Sequence, residues 1–213
     1  MMKIAPSILA ADFANLGQAV EQVDQAGCDL IHLDIMDGHF VPALTFGPGM
    51  VKALRSHSDK LFDCHLMMAE PEKWLADFVE AGADLISVHV EACANLPEVI
   101  KKIKSFGVKA GVVLNPETPV SFIEAVLPEV DLVIQMTVIP GAGGQAFIME
   151  TLDKIDQLVT LRHTKKLKFL IEVDGGINAK TARICREHQV DVVVAGSSVY
   201  QSENLVSAIQ ALR

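Results

Sequence analysis

Leu30-Ile31-His32-Leu33-Asp34-Ile35-Met36 is an apolar run interrupted at two positions, two residues apart. A strand turns alternate side chains to opposite faces, so His32 and Asp34 share one face while Ile31, Leu33 and Ile35 share the other. Two further runs carry the same signature: Leu61-Phe62-Asp63-Cys64-His65-Leu66-Met67, and Phe169-Leu170-Ile171-Glu172-Val173-Asp174 followed by Gly175-Gly176. If the strands are parallel and close into a barrel, His32, Asp34, His65 and Asp174 converge at one rim. Two imidazoles and two carboxylates gathered there suit one divalent metal ion.

The rest of the chain supports that closure. Short apolar blocks alternate with amphipathic stretches over all 213 residues. Strands are expected near 3–8, 29–35, 61–66, 84–90, 108–113, 131–136, 168–174 and 191–195, and helices near 12–26, 48–57, 72–81, 95–106, 119–127, 148–162, 178–187 and 203–212. Asp12, Asn95 and Asn178 stand where helix caps belong, and Gly27 and Gly82 stand where helices must stop before the next strand. Eight such units make an α/β protein, a (β/α)8 TIM barrel in a single domain spanning 1–213. A doubly wound open sheet shares the alternation. It would spread the polar strand ends along an edge, whereas a barrel gathers them around one mouth.

Composition narrows the partners. A net charge of -9 with no basic stripe argues against nucleic acid or an anionic membrane surface. No apolar run approaches the roughly 18 residues of a membrane span, and the first residues enter a strand pattern without a signal-peptide core, so a cytoplasmic location is expected. Cys28, Cys64, Cys93 and Cys185 lack the spacing of a zinc knuckle or disulfide scaffold and read as free thiols. A small anionic partner stays allowed, because backbone amides at loop and helix starts bind phosphate locally whatever the overall charge, and further copies of the chain are expected in a homo-oligomer.

Around the proposed ligands, Asp63 shares a face with His65, and Glu172 with Asp174. They either orient the imidazoles or form a buried ion pair unrelated to metal. His89 has no carboxylate on its face within its strand and reads as a packing residue. After the sixth strand, Thr137-Val138-Ile139-Pro140-Gly141-Ala142-Gly143-Gly144-Gln145 leaves successive amides free to wrap an anion. Gly175-Gly176 and Gly196-Ser197 follow strands seven and eight, the recurrent phosphate site of such barrels. Met36, Met67 and Met136 fall at strand ends, where they either pack the core or line the site with polarisable apolar surface.

These segments resemble the ribulose-phosphate 3-epimerase family along essentially the whole chain. The resemblance rests on Ala5-Pro6-Ser7-Ile8-Leu9, His32-Leu33-Asp34-Ile35-Met36-Asp37-Gly38, Asp63-Cys64-His65-Leu66-Met67, Asn115-Pro116-Glu117-Thr118-Pro119, Glu172-Val173-Asp174-Gly175-Gly176 and Ala195-Gly196-Ser197. It implies a divalent metal, zinc or iron ahead of manganese or cobalt, held by His32, Asp34, His65 and Asp174. It further implies Asp34 as proton acceptor, Asp174 as proton donor, and substrate contacts from Ser7, His65, Gly141, Ala142, Gly143, Gly144, Asp174, Gly175, Gly176, Gly196 and Ser197. The reaction implied is the interconversion of D-ribulose 5-phosphate and D-xylulose 5-phosphate.

Three mouth positions depart from the family pattern: Ala43 and Ile139 replace Asn, and Ala142 replaces Phe. A wider mouth would admit a longer sugar such as allulose 6-phosphate, which keeps a related ketose-phosphate 3-epimerase as the rival reading. A lyase or decarboxylase on this barrel usually brings a Lys to a strand end, and none stands there. A non-catalytic sugar-phosphate binder would need no metal set.

Overall fold

The eight strands form one parallel sheet, and the ends of that sheet meet. A computed structural model describes all 213 residues, Met1–Arg213. The strands are β1 Lys3–Pro6, β2 Leu30–Met36, β3 Leu61–Met67, β4 Leu85–His89, β5 Lys109–Leu114, β6 Leu132–Met136, β7 Leu170–Asp174 and β8 Val192–Ala195. From β2 to β8 each pairs with its sequence neighbour, and β1 pairs with β8. Between β1 and β2 the seam is held by a single parallel bridge, Ser7 to His32. The expected (β/α)8 barrel is the observed architecture.

Side-chain parity builds two apolar layers. Ile31, Leu33 and Ile35 point outward into the large cluster beneath the helices, together with Phe62, Val112, Ile171 and Val193. Leu30, Leu85, Leu132, Ile134, Val192 and Val194 point inward and fill the barrel. The helices are α1 Leu16–Gln25, α2 Pro48–Leu54, α3 Leu75–Glu80, α4 Leu96–Ser105, α5 Leu152–Thr164, α6 Ala179–Glu187, α7 Ser197–Tyr200 and α8 Leu205–Ala211. In α4, Leu96, Val99, Ile100 and Ile103 are buried at helical spacing. Each fully buried Ile or Leu contributes about 1.5–3 kcal/mol. The outer layer therefore dominates stability and leaves the inner one free to carry polar groups.

The expected helix at 119–127 is absent as an α-helix. Only a 3-10 turn, Val120–Phe122, forms there, followed by further turns. Proline at 119 and 128 brackets the segment; it buries Val120, Ile123, Val126 and Leu127, but a stretch this short between two prolines winds as a 3-10 turn and further turns. Other helices are trimmed. Asp12 caps the 3-10 turn Phe13–Asn15 that precedes α1, and Met149–Thr151 is a 3-10 turn before α5. Asn178 forms a capping box with Thr181 at α6 as expected, and Asn95 accepts from the Glu98 amide at α4. No helix is long and apolar enough to cross a membrane.

A device at the bottom of the barrel escaped the sequence reading. Asp29, Asp84, Asp131 and Asp191 each precede an even-numbered strand, and each accepts the backbone N–H of the second residue of a neighbouring odd strand: Ile4, Phe62, Ala110 and Ile171, at 2.8–2.9 Å. The same carboxylates pair with Arg213, Arg55, Lys104 and Arg162. Each carboxylate thus satisfies an amide the ladder leaves over and ties a cation of the outer layer to the sheet.

Candidate active site

The register of the sheet brings the four proposed ligands together. Asp34 on β2 lies beside His65 on β3, and Asp174 ends β7. His32 Nε2 lies 3.4 Å from Asp34 Oδ1 and 3.9 Å from Asp174 Oδ2, while His65 Nδ1 lies 3.4 Å and 3.5 Å from the same two oxygens. One donor atom from each of the four falls within 4.8 Å of the others. Donors arranged around one ion at about 2.0–2.2 Å stand roughly 3–3.5 Å apart, so the set fits a metal with little adjustment. His32 Nε2 and His65 Nδ1 are buried and have no hydrogen-bond partner. Two orphaned imidazole nitrogens aimed between two carboxylates are the donor chemistry of a cation site.

The electrostatics point the same way. Burial opposes charge on His32, but Asp34 and Asp63 outweigh it and raise its pKa well above the usual value. His65 is raised too, its burial overcome by Asp174 and Asp34. Burial disfavours the Asp34 carboxylate, yet His32 and His65 hold it well below the usual range. The pocket asks for positive charge among these groups.

His32 is oriented from below. Its Nδ1 donates to Asp63 Oδ2 at 2.8 Å, with Glu172 Oε1 at 3.5 Å, and this leaves Nε2 facing the site. Burial and then the neighbouring Asp63 raise the Glu172 pKa well above the ordinary carboxylate value. Asp63 therefore serves His32 across the strand pair, although its own strand carries His65. His65 instead places Nε2 2.8 Å from Nε2 of His89. Burial pushes the His89 pKa down to about 4.

Above this layer opens a cavity of about 690 Å³. Ser7, Asp34, Met36, Met67, Met136 and Asp174 reach it, and its walls are residues 140–145, 174–178 and 196–198. His65, expected among the substrate contacts, is fully buried behind Asp34 and Asp174 and is not part of the lining. The Ser7 hydroxyl donates to Asp34 Oδ2 at 2.5 Å. Of the three departures from the family pattern, Ala43 and Ala142 line the cavity, and Ile139 is 55% exposed and does not.

Several loop anchors were missed in the sequence. Thr45 donates to the Asp34 carbonyl and accepts from the Met36 amide, folding the loop after β2 back onto its strand. Asp37 accepts from the amides of His39, Phe40 and Ala69. Gln145 donates to the carbonyls of Ile139 and Ala142 and so staples the Gly-rich loop. Nothing in local periodicity marks such residues. Polar side chains just beyond a Gly-rich or apolar run are the available signal.

Gly176 shows how tightly the loop after β7 is built. Its φ is +66°, and a Cβ there would lie 2.5 Å from the Phe147 backbone nitrogen. No rotamer change relieves a backbone clash. Gly176→Ala is expected to lose about 1–3 kcal/mol of stability in chemical denaturation and to weaken inorganic phosphate binding. Wild-type values for both would contradict this placement of the loop.

The barrel thus carries two imidazoles and two carboxylates at the floor of a cavity whose wall is made of glycine-rich βα loops, which defines a (β/α)8 barrel with a candidate metal centre. Comparisons with known proteins agree. The profile of the ribulose-phosphate 3 epimerase family matches residues 3–200. The chain is 50% identical to a ribulose-phosphate 3-epimerase of Bacillus subtilis over 214 residues, 100% of this chain and 99% of that one. It is 48% identical to the chloroplastic ribulose-5-phosphate-3-epimerase of Arabidopsis thaliana over 212 residues, 99% of this chain and 75% of that one. Solved structures share the fold alone: 3-keto-L-gulonate-6-phosphate decarboxylase from Vibrio cholerae has a TM-score of 0.72 at 16% identity, covering 99% of this chain and 96% of that one. The chain belongs to the ribulose-phosphate 3-epimerase family, and it is an isomerase of the epimerase class.

Proposed function

We propose that the protein interconverts D-ribulose 5-phosphate and D-xylulose 5-phosphate by moving a proton at C3, with Asp34 as acceptor and Asp174 as donor. The observation that carries this reading is the pair of carboxylates, on β2 and β7, that reach the cavity floor from different strands. Inversion beside a ketone removes a proton from one face and returns one to the other, which a single group cannot do without moving. The imidazoles of His32 and His65 beside it favour its ionised form, the form a proton acceptor must start in. The Ser7 hydroxyl fixes one of its oxygens and so aims the other.

His32, Asp34, His65 and Asp174 would hold a divalent ion, zinc or iron ahead of manganese or cobalt. When bound it supplies Lewis-acid stabilisation of negative charge on the substrate oxygens beside C3. Met36, Met67 and Met136, each nearly fully buried, keep water from the reacting carbon. The free amides of 141–144, 175–176 and 196–197 bind the phosphate, which anchors the sugar at a fixed depth.

The small Ala43 and Ala142 in the lining favour a second reading, a 3-epimerase of six-carbon ketose phosphates. Steady-state kinetics on both sugars decides between them. The expected result is a higher kcat/KM for ribulose 5-phosphate than for allulose 6-phosphate; the reverse order supports the second reading, and turnover of neither contradicts both.

A further inference from the structure

His65 has no carboxylate behind it, unlike His32. Its Nε2 meets another imidazole, that of His89 at the end of β4, at 2.8 Å. Two ring nitrogens at that distance share one hydrogen. Which ring owns it follows from what lies beyond. His89 Nδ1 faces Glu91 Oε2 at 3.3 Å, and a carboxylate oxygen only accepts. The other Glu91 oxygen accepts from the Asn115 amide at 3.0 Å and from the Thr118 hydroxyl, so the carboxylate cannot turn away. The His89 ring is itself clamped: it meets His65 end-on, the two ring planes only 22° apart and the centroids 5.0 Å apart, and it packs against Phe40 at 4.7 Å. It is fully buried, away from bulk solvent, with Glu91 and the Asn115 side chain beside it.

We propose that Glu91 and His89 are positioning residues that fix the tautomer of His65. Glu91 takes the hydrogen of His89 Nδ1. The neutral His89 ring then has a bare Nε2 and accepts from His65 Nε2–H. His65 Nδ1 is left as the nitrogen that offers its lone pair between Asp34 and Asp174. With the opposite assignment, His65 Nδ1 would keep its hydrogen and could not be a ligand. The outer end of the chain is tied to the loop after β5. Lys154, which donates to the carbonyls of Asn115 and Thr118, holds that loop in turn. The orientation of a buried ligand is therefore set by a line of contacts running outward through two mouth loops.

This inference rests on the reading that His65 holds a metal, and the test separates the two. Cobalt(II) is titrated into metal-free wild-type, His89→Gln and His89→Phe proteins against a competing chelator. Phe fills the space beside Phe40 but accepts no hydrogen bond, whereas the Gln carbonyl can accept from His65 Nε2–H. His89→Phe is expected to bind cobalt about 10–100-fold more weakly than wild type, and His89→Gln within about threefold of it. Equal affinity in wild type and His89→Phe overturns the inference, as does equal loss in Phe and Gln. Nitrogen-15 correlation spectra of the metal-free wild type give an independent readout that needs no variant to fold: His89 must carry its hydrogen on Nδ1, and a hydrogen on Nε2 overturns the inference. Failure of the wild type to bind cobalt at all overturns the metal reading instead, while the tautomer of His89 still decides this one.

Discussion

Asp174→Asn is expected to lower kcat by about a hundredfold or more while leaving the barrel folded. General acid–base groups contribute roughly 10²–10⁴ in rate, and an amide of the same size carries no proton to deliver. The fold tolerates the change because the backbone of residue 174, not its side chain, does the structural work: its carbonyl accepts from the Thr137 amide at 2.8 Å and from the Thr137 hydroxyl at 3.0 Å. Its side chain sits at the cavity surface, 14% exposed. Cooperative thermal unfolding near the wild-type temperature should accompany the loss of turnover. Retention of more than about a tenth of wild-type kcat, a barrier change under roughly 1.4 kcal/mol, would remove Asp174 from proton transfer.

His65→Ala and Asp34→Asn are expected to empty the proposed metal site. Each removes one of four donors, and loss of a direct ligand should exceed the roughly 10–100-fold effect typical of a residue that merely orients one. The two variants fail for different reasons. His65→Ala leaves a hole beneath two carboxylates and also strands His89 Nε2 without its partner. Asp34→Asn keeps the shape and the Ser7 contact but takes away the negative charge that draws the ion. Elemental analysis after gel filtration should find both depleted relative to wild type. Full occupancy in both would contradict the ligand set.

Much of this was legible in the chain because a barrel strand reports its own two faces. Parity on β2 placed His32 and Asp34 inward, and the structure keeps them there, fully buried or nearly so. The same rule read on β3 and β7 supplied His65 and Asp174. Parity says nothing about which strand a side chain touches. Asp63 was paired in sequence with His65, its own strand-mate, but the register of β2 against β3 sets it opposite His32. His89 lacked a carboxylate within its strand, yet Glu91 stands two residues on, the spacing that links His32 to Asp34. It was overlooked because β4 ends at His89 and Glu91 lies in the following 3-10 turn, Val90–Ala92. The stretch at 119–127 misled for a related reason. Its apolar content and buried spacing were right for a helix, but the prolines at its two ends leave room only for turns. The four carboxylates at the bottom of the barrel are similar: each precedes its strand in an ordinary turn, and only the neighbouring strand gives it an amide to hold.

The central claim is proton transfer at one carbon by residues on the cavity floor. Incubation with ribulose 5-phosphate in deuterated water, followed by proton and carbon magnetic resonance of the products, tests it most directly. Xylulose 5-phosphate carrying deuterium at C3, with deuterium washed into the C3 position of recovered ribulose 5-phosphate as well, is the predicted result. Unlabelled C3 in both sugars, or label confined to another carbon, would contradict it.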